Sequence, residues 1–296
     1  PTPAPTQASL APLAAPTITL APAAAKRVGL QVGHWESGSL PAEQAHLRFN
    51  SGQSFNGIYE RDLNYGLASA IATKLMAQGV SVDILPATVP AGYTADAFIA
   101  IHSDYASDPN IRGYKTGLPW RASAAALALR DALDRRFAST EQPFHNAVNA
   151  TMRGYYAFNY LRYDHAITPA TPGVIIEVGF ITNPADFTLL TAGQDELAAT
   201  ITQGISDFLR LPLTAADLEP PVLPLVTPLA PLDVLYDPDP AAPLLATVQP
   251  GELLWTYEAV AGWYHVVLPP EWDYIGWVPI DAVAPLPADA WKSPAE

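Results

Sequence analysis

Four side chains of metal-ligand or acid–base type, His34, Glu60, His102 and Glu177, stand where β-patterned or helical runs begin or end. Two imidazoles and a carboxylate give Zn2+ three ligands and leave a fourth position to water, the pattern of catalytic rather than structural zinc. A further free carboxylate can then take and return protons. Cysteine is absent, so disulfides, thiolate zinc sites, iron–sulfur clusters and cysteine nucleophiles are excluded, and any metal falls to His, Asp and Glu. Each residue alone also has an ordinary structural account: His34 and His102 as hydrogen-bonded core or surface histidines, Glu60 as a carboxylate complementing a helix N-terminus.

These four need a scaffold that brings element ends together. Val28, Leu30 and Val32 alternate with Gly29, Gln31 and Gly33, and Val80–Leu85, Phe98–Ile101 and Val174–Val178 are near-continuously apolar, as buried strands are. Leu63, Leu67, Ile71 and Leu75 mark a helix that Gly79 would cap; Leu197, Ile201, Ile205 and Leu209 mark another that Pro212 stops, and a third pattern spans Ala122–Phe137. Strand–helix alternation predicts an α/β layered domain, a mostly parallel twisted sheet flanked by helices. In such sheets sites gather beyond the carboxyl ends of strands, where these polar residues fall.

Composition divides the 296 residues. Residues 1–26 hold six of the 31 prolines with Ala and Thr, and read as a tether; residues 212–296 hold sixteen, leaving the ordinary share to the stretch between. The start at Pro1 rather than Met is expected of a trimmed or processed product, and a Pro/Thr/Ala tether suits an exported protein. The apolar run Leu10–Ala25 is broken by Pro12, Pro16 and Pro22 with no basic region before it, so neither it nor any other stretch reads as a membrane span. Net charge is −14, which disfavours nonspecific nucleic-acid binding. Residues 27–211 carry 13 basic and 17 acidic groups; residues 212–296 carry one basic and twelve acidic. Proline-rich residues 212–230 form the expected linker between a domain at 27–211 and a second unit at 231–296.

Local sequence narrows the reading. Val32-Gly33-His34, Glu60-Arg61-Asp62-Leu63-Asn64 entering a helix, Ala95 through His102, and Pro172 through Asn183 resemble, in order and spacing, the zinc-dependent N-acetylmuramoyl-L-alanine amidases of the cell-wall hydrolase type. Arg153-Gly154 and Asn159-Tyr160-Leu161-Arg162 extend the likeness, which covers roughly residues 27–210. The resemblance implies that His34, Glu60 and His102 bind Zn2+, that Glu177 is the catalytic acid/base, and that the amide between N-acetylmuramic acid and L-alanine of peptidoglycan or a muropeptide is cleaved outside the cell or in the envelope. A catalytically silent wall-binding or activator protein on the same scaffold is the alternative, which retention of all four residues disfavours. A peptidase lacks its usual His-Glu-x-x-His element here.

Departures stand out. Gly38–Asn56, rich in Ser, Gly and Asn, looks like a long loop near the metal that shapes or occludes access. Asp104 follows the second histidine and either orients a ligand or caps a turn; Ile111–Trp120 matches the family poorly. Arg153 and Arg162 are candidates for holding a stem-peptide carboxylate, with structural salt bridges an equal account. Tyr155, Tyr156, Phe158, Tyr160 and Tyr163 read first as a strand packing aromatics into the core, second as a substrate groove. His46, His145 and His165 lack motif support and read as structural or exposed.

Residues 232–286 contain five short β-type runs, and Gly262-Trp263-Tyr264-His265-Val266 and Ile275-Gly276-Trp277-Val278-Pro279 resemble bacterial SH3-like domains, implying a small all-β barrel and wall targeting. Of Trp255, Trp263, Trp272 and Trp277, at least two are expected in its core. The acidity of this part disfavours phosphate-bearing polymers and favours a neutral or amine-bearing peptide ligand, or docking against the first domain. Nothing in the sequence sets an oligomeric state.

Overall fold

A computed structural model describes residues 25–145, 148, 150–268, 274–287 and 290. Nearly all of the expected tether, and Trp272, lie outside the described residues. Lys26 already belongs to the fold, pairing with Asp96 at 2.8 Å while its carbonyl accepts from the Ser81 amide at 2.8 Å.

The chain begins with β1 (Arg27–Val32), passes through two 3-10 turns (Ser37–Ser39 and Ala42–Leu47) and a ribbon of β2 (Ser54–Phe55) and β3 (Ile58–Tyr59), and enters α1 (Glu60–Met76). Next come β4 (Ser81–Leu85), β5 (Ala97–Asp104), β6 (Lys115–Gly117), α2 (Ala124–Phe137), α3 (Ala150–Arg153), β7 (Gly173–Phe180), α4 (Pro184–Thr191) and α5 (Gln194–Leu209). The first sheet has the order β4-β1-β5-β7-β6, with β4, β1, β5 and β7 parallel and β6 antiparallel at the edge. The α/β layering and mostly parallel sheet expected from the sequence are therefore present.

Central strands are buried on both faces, which is why β5 and β7 read as apolar runs rather than alternating ones. One face packs Val28, Leu30, Ile99, Ile101, Val174 and Ile176 against Leu67 and Ile71 of α1, Leu129 and Leu133 of α2, and Ile201 and Ile205 of α5. The other packs Phe98, Ala100 and Ile175 against Tyr93, Met152, Tyr155, Phe158 and Ile167, which come from loops and short turns. Helix ends follow their residues. Gly79 adopts φ 82°, with Val80 N–H bonded to Leu75 O at 3.2 Å and Gly79 N–H to Met76 O at 3.0 Å, the paired bonds that close a helix on a left-handed residue. Ser123 accepts from Ala126 N–H to start α2, and Asn183 accepts from Ala185 and Asp186 N–H to start α4, a helix the periodicity did not predict.

The second sheet is antiparallel. The stretch expected as a linker instead contains α6 (Ala215–Leu218), closed by a Thr214/Asp217 capping box, and β8 (Leu225–Pro228). β9 (Leu232–Leu235), β10 (Leu244–Val248), β11 (Leu254–Val260), β12 (Trp263–Leu268) and β13 (Tyr274–Pro279) match the five predicted runs, and β14 (Val283–Leu286) pairs with β8. Proline hid both: Pro228 ends β8 beyond its pairing with β11, and Pro285 lies in β14 at the sheet edge, positions where a missing amide donor is tolerated. The order is β10-β9-β13-β12-β11-β8-β14.

The two sheets share a junction. Trp120, Leu225, Trp255, Tyr257 and Val267 form one buried cluster, with Trp120 and Tyr257 ring centroids 4.5 Å apart. Arg153 lies over both Trp120 (4.3 Å) and Tyr257 (5.0 Å), and Arg121 lies over Trp255 (5.6 Å) while donating to Thr256 O at 2.9 Å. Burial pushes the Arg121 guanidinium down to about 10 and Arg153 also below its ordinary value. Trp120→Ala empties the centre of this junction and is expected to cost about 3–5 kcal/mol. Calorimetry should then resolve two transitions, the lower from the second sheet; one unshifted transition would contradict the shared cluster.

Candidate active site

β1, β5 and β7 lie side by side and point the same way, so their carboxyl ends form one rim. His34 sits two residues past β1 at φ 64°, His102 is on β5, and Glu177 on β7 is the register partner of His102. Glu60 is the first residue of α1 and only 3% exposed. Its Oε1 faces His34 Nε2 at 3.2 Å and His102 Nδ1 at 3.4 Å, and also receives Ser103 N–H (3.3 Å) and Asn64 Nδ2 (3.4 Å). Oε2 accepts from Gln53 N–H at 3.0 Å. Ser103 Oγ donates to Asn64 Oδ1 at 2.8 Å, fixing the amide that holds Glu60.

One ligand atom from each of His34, Glu60 and His102 lies within 4.8 Å of the others, so this group could hold a metal ion. Protonation suits that role at Glu60 and His102. Burial alone would raise the Glu60 carboxyl, but the His102 and His34 rings beside it hold it well below its usual range. Burial dominates at His102 and lowers it; at His34 burial pulls down, yet the bond and charge of Glu60 outweigh it and raise the imidazole. His34 Nδ1 meets Asn50 O at 3.1 Å, which makes Nδ1 the donor and leaves Nε2 its lone pair.

Two glycines let the ligands approach. A β-carbon on Gly33 would stand 2.5–2.7 Å from the His102 ring, and one on Gly52 would stand 2.8 Å from Glu60 Oε2 and 2.9 Å from the His34 ring, with Gly52 at φ 76° besides. The Gly38–Asn56 loop thus supplies the Asn50 carbonyl, the close approach of Gly52 and the Gln53 amide. Such backbone contributions leave no residue-type signal.

Glu177 belongs to the same cavity, about 440 Å³, walled by Leu40, His46, Leu47 and Asn50 of the loop and by Met152, Tyr155, Tyr156, Arg162 and Tyr163 opposite. The loop walls the cavity rather than filling it. Burial pushes the Glu177 carboxyl well above its ordinary value, with Asp104 and Glu60 adding to the rise and Lys115 opposing it. Its Oε2 has no hydrogen-bond partner among the described residues.

Other candidates separate. Arg162 lines the cavity, whereas Arg153 is not among the residues lining it: its guanidinium lies over Trp120 and Tyr257 at the junction of the sheets. Asp104 neither orients a ligand nor simply caps a turn; it ion-pairs with buried Lys115, whose Nζ lies 5.4 Å from the Phe180 ring centre. The aromatic segment is a 3-10 turn at Tyr156–Phe158 rather than a strand, with Phe158 in the core and Tyr155, Tyr156 and Tyr163 on the cavity. His46, expected to be structural or exposed, faces the cavity and stacks with Tyr163. His145 packs edge-on to Phe180, and His165 bonds to Glu43.

Residues 30–207 match the Amidase_3 family, described as N-acetylmuramoyl-L-alanine amidase. Among solved structures, the CwlD amidase from Clostridioides difficile in complex with the GerS lipoprotein is 18% identical, with 62% of this chain and 98% of that one covered and a TM-score of 0.44. Ami1 from Mycobacterium smegmatis is 17% identical, with 62% and 96% covered and a TM-score of 0.46. An N-acetylmuramoyl-L-alanine amidase from Clostridium difficile 630 is 19% identical, with 64% and 100% covered and a TM-score of 0.44. Curated protein sequences offer no match.

Two outcomes follow from this geometry. Gly33→Ala drives a methyl into the His102 ring; overpacking of about 1–3 kcal/mol at a ligand should weaken divalent-metal uptake about tenfold or more, measured by chelator competition. The second concerns the loop, which Glu43 pins by accepting from the Asp164 amide (3.0 Å), the His165 amide (2.8 Å) and His165 Nδ1 (2.8 Å). Burial would raise the Glu43 carboxyl, but these bonds hold it below its usual 4.5. A depressed carboxylate lends its stability in full above the unfolded value and loses it as pH falls through the folded one. Exchange protection of the Asp164 and His165 amides should therefore stay level down to about pH 4.5 and then decline, whereas Glu43→Gln should be less protected and lack that decline.

Proposed function

The chain belongs to the N-acetylmuramoyl-L-alanine amidase family, and on that premise we propose that it hydrolyses the amide between the lactyl group of N-acetylmuramic acid and the L-alanine of peptidoglycan, using Zn2+ held by His34, Glu60 and His102. The observation that carries this reading is the spacing around Glu60 Oε1, 3.2 Å to His34 Nε2 and 3.4 Å to His102 Nδ1. A tetrahedral ion with bonds of roughly 2.0–2.1 Å would have ligand–ligand edges of about 3.3 Å, close to these two separations. Two neutral imidazoles and one carboxylate also form a donor set suited to that ion.

Bound there, Zn2+ supplies Lewis acidity towards the scissile carbonyl and makes an attacking water more acidic. The remaining steps fall to this chain's side chains. Glu177 takes a proton from the attacking water as the new C–O bond forms, and gives it to the alanine nitrogen as the C–N bond breaks. Its raised carboxyl suits both halves of that exchange, because a base of ordinary acidity would return the proton poorly near neutral pH. Arg162 on the cavity wall is suited to hold a stem-peptide carboxylate.

The domain plan proposed around this chemistry is a catalytic unit at 27–211 and an SH3-like wall-binding unit at 231–296, in a protein acting outside the cell or in its envelope. The β-runs Gly262–Val266 and Ile275–Pro279 support the second unit's reading, and the junction aromatics indicate docking on the first. No helix among the described residues is long and apolar enough to cross a membrane.

Mass spectrometry of purified peptidoglycan digested with the full chain should show intact stem peptides released with free alanine amines. Shortened peptides would indicate a peptidase, and an unchanged profile with added Zn2+ a silent protein. Glu177→Gln should keep Zn2+ while losing roughly 10²–10⁴ in kcat, and His34→Ala should lose both. A Glu177→Gln variant of near-normal rate would remove the acid/base assignment.

A further inference from the structure

His102 is bonded on both ring nitrogens. Nδ1 faces Glu60, and Nε2 meets Tyr155 Oη at 3.0 Å. From there a line of hydroxyls runs along the cavity wall: Tyr155 Oη to Tyr156 Oη at 3.0 Å, then Tyr156 Oη to Ala87 O at 2.7 Å. Gln31 Nε2 flanks its far end, donating to Tyr156 Oη at 3.2 Å and to Ala87 O. Tyr155 is 9% exposed, and a phenol keeps its proton near neutral pH.

Donor accounting allows this line one polarity. A backbone carbonyl only accepts, so Tyr156 spends its O–H on Ala87. Its oxygen must then accept, from Gln31 and from the Tyr155 O–H. With that proton spent, the Tyr155 oxygen faces His102 as an acceptor, and His102 Nε2 must carry the hydrogen. A neutral imidazole with hydrogen on Nε2 presents its lone pair at Nδ1, the atom 3.4 Å from Glu60 Oε1.

We infer that Tyr155 is a positioning residue: backed by Tyr156 and the Ala87 carbonyl, it selects the Nε2–H tautomer of His102 and so aims Nδ1 at the metal. This rests on the metal reading above. Tyr155 is itself held in place, two residues past Arg153 in the aromatic junction and with its ring 4.4 Å from Tyr156 and 5.7 Å from Phe158. His34 reaches the same end by a shorter route, one carbonyl, so the two imidazoles present different nitrogens to one centre. Gln31 explains its own polarity here, a fully buried amide in a strand of apolar neighbours.

The test uses the full chain, freed of metal and labelled with ¹⁵N, near pH 8. Long-range ¹H–¹⁵N spectra of the unsubstituted protein should show His102 as the Nε2–H tautomer, and chelator competition should give a tight Zn2+ affinity. Tyr155→Phe should weaken that affinity about 10–100-fold, and Tyr156→Phe less, with metal-free melting curves reporting folding separately. His102 observed as Nδ1–H in the unsubstituted protein, or Tyr155→Phe binding Zn2+ as tightly as the unsubstituted protein, would overturn the inference while leaving the metal site standing. Failure of the unsubstituted protein to bind Zn2+ at all would instead remove the metal reading, and the inference with it.

Discussion

A carboxylate sunk 97% into the protein needs polar partners on every side, and the surroundings of Glu60 are arranged to supply them. Two imidazoles, the Ser103 amide and the Asn64 side chain face one oxygen, and the Gln53 amide faces the other. An unpaired charge at such depth would be strongly unfavourable, so each donor constrains an element. Ser103 fixes where β5 ends, Asn64 fixes the first turn of α1, and Gln53 fixes the return of the long loop. Strand order, helix start and loop path are thereby referred to one oxygen pair.

That convergence explains why the site tolerates so little side-chain volume behind it. Gly33 and Gly52 lie flush against ligand rings from opposite directions, and the chain can pass there only without a β-carbon. The loop that looked as though it could close over the site instead braces Glu60 and His34 from its far end while its middle walls the cavity. Glu43 and Gln44 tie that middle to Asp164 and His165, so the wall is pinned to the segment across from it.

Much of this was legible beforehand, and the reasons are particular. Leu63 through Leu75 recur at helical spacing because α1 has one buried face; Phe98–Ile101 runs apolar because β5 is covered on both sides. His34, Glu60, His102 and Glu177 could be picked out because they are polar residues at the ends of such elements. What escaped notice acts through atoms that every residue has, such as the carbonyls of Asn50 and Ala87, or through side chains whose partners are remote in sequence. Arg153 is an instance: its type suits a carboxylate, and only the arrival of Tyr257 from the second sheet decides that it stacks instead. Tyr155 is another, since a buried phenol in an aromatic run looks like packing until its hydroxyl is followed. β6 is three residues long and carries no periodicity at all, yet it brings Lys115 to Asp104 and so sets the charge beside Glu177.

The placement of Trp120, Arg121 and Arg153 bears on how the two halves of the chain can be parted. A cut near residue 220 would leave an indole and two guanidiniums of the first half facing water where aromatic rings had covered them, and would free the stretch that leads into Tyr155 on one side. The halves are thus not interchangeable cassettes. Grafting another C-terminal unit onto this first half would require it to present an equivalent pair of rings, or the graft would inherit a sticky, loosened flank a few residues from the cavity.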